Sequence, residues 1–127
     1  MIPGDFFMNV LIVDDSATMR MIVIKSLRQA GFDKITTIEA GGAKEGLQKI
    51  AAGNIDLVLS DVNMPEITGI EMVKVIRTKF PKLPIVMVTT ESSPEMRQNM
   101  EAAGANGVII KPFPPEELQK VLSPYMK

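Results

Sequence analysis

The chain has 127 residues, 46% of them hydrophobic, enough for one domain and too few for a second folded unit of ordinary size. A formal net charge of -1, without a long run of either sign, lacks the basic footprint of a nucleic-acid binder. With no Cys and no His, disulfides, thiol catalysis, a histidine base or metal ligand and a phosphohistidine of its own are excluded.

Residues 1–127 therefore read as a single domain with no separate output domain. The opening Met1 to Phe7 has neither a positive n-region nor a long apolar core. No stretch approaches the roughly 18 apolar residues that span a bilayer, so a cytoplasmic protein without membrane association is expected.

The first apolar run, Met8 to Val13, ends in Asp14-Asp15. Ser16 can cap a helix running to about Ala30, with Gly31 as its stop. On that helix Met19, Val23, Leu27 and Ala30 form one stripe, expected to pack on a sheet, and Ala17, Met21, Ile24 and Arg28 form another, expected to face outward. The run Ile35 to Ile38, broken by two threonines, reads as an edge strand, and a stretch of helical period follows it. The third run, Ile55 to Leu59, leads into Ser60-Asp61. Thr68 with Glu71 makes a capping box for a helix reaching about Lys79, with Pro81 and Pro84 just beyond. Ile85 to Val88 runs into Thr89-Thr90, and Ser93-Pro94 suits the start of a helix ending near Gly104. Val108 to Ile110 runs into Lys111-Pro112, and Pro115 opens the last helix. This alternation, with runs rich in Val and Ile, predicts an α/β fold whose five-stranded parallel sheet is covered by helices on both faces. Right-handed crossovers leave few strand orders for it.

In an open parallel sheet, ligands bind beyond the carboxyl ends of the strands. The residues after the runs are Asp14, Asp15, Asp61, Thr89 and Lys111, which puts three carboxylates, a hydroxyl and an ammonium on one rim if strands one and three are neighbours. An Asp after a strand is, alone, often only a helix cap, but four matching strand ends are not explained that way. Such carboxylates repel by about 1 kcal/mol per pair at 4 Å in water and about 4 at an effective dielectric of 20. One lysine offsets part of this; a hard divalent cation, magnesium being usual in phosphate chemistry, would offset the rest.

Asp14-Asp15-Ser16-Ala17-Thr18-Met19-Arg20, Ser60-Asp61-Val62-Asn63-Met64-Pro65, Val88-Thr89-Thr90-Glu91 and Lys111-Pro112-Phe113 together closely resemble receiver domains of two-component response regulators, nearest to the single-domain chemotaxis type. The flavodoxin-like strand order 2-1-3-4-5, with five helices, is taken over from that class rather than derived; a chemotaxis regulator is a standing example of it. The resemblance implies that Asp61 accepts a phosphoryl group from the phosphohistidine of a histidine kinase or phosphotransfer protein. It implies magnesium held by the carboxylates of Asp15 and Asp61 and the backbone carbonyl of Asn63, with Asp14 acting through ordered water. Thr89 and Lys111 would each meet a phosphoryl oxygen, and the Lys111-Pro112 bond would be cis. Asn63 and Glu91 match positions that tune dephosphorylation, the expected downstream target is a protein such as the flagellar motor switch, and a monomer is expected.

One departure is Val108, where many relatives carry an aromatic side chain that swings inward on activation. A short β-branched residue cannot reproduce that swing, so the signal is expected to pass through the loop after Thr89 and the helix beginning near Pro94. The second stripe of the first helix is a candidate docking surface for a helical phosphodonor. Among alternatives, a haloacid-dehalogenase phosphatase would resemble Asp-x-Asp after strand one, and a nucleotide-binding enzyme would need Gly-x-Gly-x-x-Gly there; neither is present. A receiver-like interaction module acting without phosphorylation, or a stand-alone regulator in a non-chemotaxis phosphorelay, are the remaining readings.

Overall fold

The computed structural model describes residues 7–126, so the reading of the opening segment falls, Phe7 apart, outside the described residues. Strands and helices alternate as β1 Met8–Val13, α1 Ala17–Gln29, β2 Ile35–Ala40, α2 Ala43–Ala51, β3 Leu57–Ser60, α3 Gly69–Lys79, β4 Ile85–Thr89, α4 Pro94–Ala103, β5 Gly107–Ile110 and α5 Pro115–Leu122, with a 3-10 turn Ser123–Tyr125 after the last helix. All strand pairs are parallel and the order is β2-β1-β3-β4-β5. The expected doubly wound sheet is thus observed, with β2 at its edge.

Because successive strand side chains point to opposite faces, the core divides in two. Leu11, Val13, Val58, Ile85, Met87 and Val108 face α2, α3 and α4. Val10, Ile12, Leu57, Leu59, Val86, Val88 and Ile109 face α1 and α5. The three inner strands, β1, β3 and β4, are almost wholly apolar because both faces are covered.

Local signals place the helices. The Ser16 side chain accepts from the Met19 N–H, and the Thr68-Glu71 box is closed in both directions. The Ser93 side chain accepts from Met96 N–H, and α4 ends on Gly104 at φ 118, a left-handed conformation that glycine adopts without strain. Arg77 ties the far ends of α3 and α4 together: its guanidinium donates to the carbonyls of Phe80, Leu83 and Gly104 and to Asn106 Oδ1. Asn106 Oδ1 also accepts from the Ile85 N–H.

Two expectations need correcting. β3 begins at Leu57 rather than Ile55, because Asn54 takes a positive φ of 69 and the Asp56 carboxylate accepts the Asn9 N–H. Ile55 instead packs on the core from the loop. On α1, Val23, Leu27 and Ala30 are buried as expected and Met19 is half-buried, but Ile24 also packs on the core. Ile24 precedes Leu27 by three residues, about 60° around the helix, so it lies on the flank of the buried stripe. Met21 and Ile22 are the large apolar side chains exposed on this helix, at 69% and 45%.

Candidate functional site

The parallel ladder sets the rim of the sheet. The Asp61 N–H donates to the Val13 carbonyl at 2.9 Å, which brings the residue after β3 level with Asp14. The Asp14 N–H donates to the Ala40 carbonyl at 3.1 Å, and the Lys111 N–H to the Thr89 carbonyl at 2.8 Å. Each residue leaving a strand is therefore hydrogen-bonded to the neighbouring strand before its side chain is considered.

The side chains then converge. One carboxylate oxygen from each of Asp14, Asp15 and Asp61 lies within 4.8 Å of the others. Lys111 Nζ stands 3.3 Å from Asp14 Oδ2 and 3.6 Å from Asp61 Oδ2, with all three side chains largely shielded from solvent. Asp14 Oδ1 accepts the Ser16 N–H, and Asp61 Oδ1 accepts the Val62 N–H. The Lys111-Pro112 peptide is cis.

Burial pushes the Asp61 carboxyl above its ordinary pKa; Lys111 opposes this, Asp14 adds to it, and the N–H groups of Val62 and Asn63 oppose it again. Three carboxylates face one ammonium, an uneven set made of hard oxygen donors. It fits a divalent cation such as magnesium or calcium and offers nothing to a soft metal.

The other expected residues lie elsewhere on the rim or beneath it. Thr89 is fully buried and its hydroxyl accepts the Glu91 N–H at 3.1 Å. Asn63 Nδ2 donates to Glu91 Oε1 at 3.3 Å, which joins the loops after β3 and β4. Val108 is buried in the core, opposite Met87 in the β4–β5 register.

Two residues at the site were given no role from the sequence. Arg20 donates to the Asp14 carbonyl at 2.6 Å and to Glu39 Oε1 at 2.9 Å, so it pins the turn after β1 to the end of β2. Its place one turn beyond the Ser16 cap was the available signal. Gly69 opens α3 against the Asp61 backbone, where an added Cβ would stand 2.1 Å from the Asp61 carbonyl oxygen. A glycine directly after a good N-cap, where the conformation does not require one, was the signal there.

The model of the family described as response regulator receiver domain matches residues 10–123. The chain is 37% identical over 115 residues to the chemotaxis protein CheY of Pseudomonas aeruginosa, covering 89% of this chain and 91% of that protein. It is 36% identical over 118 residues to the chemotaxis protein CheY1 of Helicobacter pylori, covering 91% and 94%. Among solved structures, the chemotaxis protein CheY4 of Vibrio cholerae superposes with a TM-score of 0.85 at 41% identity, covering 95% of this chain and 100% of that one.

Proposed function

The chain belongs to the response regulator receiver family of two-component signalling, and on that premise we propose that Asp61 is its phosphoacceptor. The observation that carries this is the convergence of Asp14, Asp15 and Lys111 on the Asp61 carboxylate. An Asp61 oxygen attacks the phosphorus of a donor phosphohistidine. The P–N bond breaks, its electron pair stays on the imidazole nitrogen, and Asp61 becomes an acyl phosphate. The Lys111 ammonium lies beside the attacking carboxylate and offsets charge as the phosphoryl oxygens approach. Asp15 and Asp61, with the Asn63 carbonyl, would hold magnesium, and Asp14 would act through water. The ion would supply positive charge next to the phosphoryl group.

Thr89 is assigned to a phosphoryl oxygen. To reach it, the hydroxyl gives up the Glu91 N–H, which frees the loop leading to α4. With Val108 short and buried, that loop and α4 are the proposed output path. Glu91 and Asn63 are joined by a hydrogen bond between the two loops, and we assign to them the tuning of water access and so of the lifetime of the phosphate.

The names of the relatives support a role in chemotaxis; to this we add a histidine kinase or phosphotransfer protein upstream and a target such as the flagellar motor switch downstream. We take the single receiver domain to act as a cytoplasmic monomer whose output is a change in protein binding. Among the described residues no helix is long and apolar enough to cross a membrane. Exposed Met21 on α1 is the proposed contact for the phosphodonor.

Incubation with acetyl phosphate and magnesium, followed by intact mass measurement, tests the assignment. The native chain is expected to gain one phosphoryl group and Asp61→Ala none. Equal labelling of both chains would move the acceptor elsewhere, and no labelling of the native chain would favour an interaction module that acts without phosphorylation.

A further inference from the structure

Apart from the acid rim, α2 and α3 leave an apolar groove of about 390 Å³ along the covered face of the sheet. Leu47, Ile50, Val75, Ile76 and Phe80 line it. Two of the five exposed large apolar side chains among the described residues, Val75 at 49% and Phe80 at 38%, open onto it. Its charged lining is of one sign, Lys44 and Lys79. Both helices follow strands of a parallel sheet and run back across it, so Lys44, in the first turn of α2, stands toward the acid rim. Lys79, the last residue of α3, stands at the opposite end. From Lys44 to Ala51 the groove follows α2 for about 11 Å, roughly two helical turns.

An apolar floor of this length with a cation at each end has a defined complement. We propose that the α2–α3 groove docks an amphipathic helix of a partner protein, one that lays an apolar stripe on Leu47, Val75 and Phe80. The helix would present one acidic side chain to Lys44 and another to Lys79. The cations choose the partner and set its register, and the apolar contacts hold it. A basic helix would place like charges against both lysines, and a second copy of this chain would have to supply an acidic helix of the same pattern. This surface works independently of the phosphoacceptor assignment.

The test uses the full chain, isotopically labelled, and two synthetic helical peptides. Both carry Leu at positions i, i+3, i+4 and i+7, one with Glu and the other with Lys at the two flanking positions. The Glu peptide is expected to shift amide resonances confined to α2 and α3. Its affinity should fall about tenfold in Phe80→Ser, as loss of a central aromatic contact does. Lys44→Glu with Lys79→Glu leaves the apolar floor intact and should reverse the preference, so that the Lys peptide binds the tighter. The proposal is overturned if both peptides bind the native chain equally, if the shifts lie off α2 and α3, or if the double substitution leaves the preference unchanged. It is also overturned if dilution without peptide moves the same resonances, because the occupant is then another copy of this chain.

Discussion

The two halves of the rim are built differently. On the β1–β3 side, Asp14, Asp15 and Asp61 already stand together with Lys111 among them. On the β4 side, the Thr89 hydroxyl accepts the Glu91 N–H and the Glu91 carboxylate accepts from the Asn63 side chain, while the Asn63 backbone N–H reaches back to Asp61. The first half is assembled before any phosphate arrives and its cost is electrostatic repulsion. The second is satisfied at rest and has to be unmade. Positioning and switching are thus separated in space, and perturbations should tell them apart.

The largest expected effect is on the acid half. Magnesium at a hundredfold above its dissociation constant should raise the unfolding free energy by about 2.7 kcal/mol, because only the assembled cluster binds it. A thermal melt of the native chain and of Asp61→Asn across a magnesium titration checks this, and an equal response in both would remove Asp61 from the site. Next comes Gly69→Ala. Its Cβ meets a backbone oxygen rather than a flexible side chain, so about 2 kcal/mol of stability should be lost in a denaturant titration. Phosphate uptake should slow with it, since relieving the clash displaces Asp61.

How much of this was legible follows from the same contrast. Asp14, Thr89 and Lys111 could be found because each directly follows an apolar run, and Asp61 because only Ser60 separates it from one; a parallel sheet brings strand ends to one edge whatever the packing details. The Thr68-Glu71 box was legible because its partners are three residues apart. Gly69 and Arg20 were not assigned, since their roles depend on how close α3 and β2 come, which no local spacing encodes. The start of α2 was equally silent: Gly42 caps it without any side-chain hydrogen bond. Ile24 and Ile55 were misplaced for a related reason, as half-buried positions follow the packing of neighbours more than periodicity.

Smaller effects complete the comparison. Thr68→Ala should cost about 1 kcal/mol, because the cap also fixes the start of α3 behind Asp61. The Thr68 N–H and hydroxyl hold the Glu71 carboxyl below its usual pKa. A depressed carboxyl stabilises the fold above its unfolded pKa and loses that contribution as pH falls through the folded one. Thr68→Ala keeps the backbone N–H, the larger cause, and removes the hydroxyl, so it should flatten the acid limb of the stability profile only in part, which a series of melts from neutral to acid pH would show. The smallest stability effect is expected from Glu91→Ala, within about 0.5 kcal/mol, since the residue lies on an exposed loop. Its signature should be kinetic, a changed rate of phosphate loss followed by fluorescence or mass. A large loss of stability instead would mean that the β4 side, too, is part of the scaffold.

The Arg77 staple gives α4 a mechanical asymmetry. At its tail the helix is moored through Gly104 to a guanidinium that also holds Phe80, Leu83 and Asn106. At its head it hangs from a loop restrained through single hydrogen bonds to Thr89 and Asn63. A tug delivered at the head meets a fixed fulcrum, so the helix answers by tilting rather than by sliding.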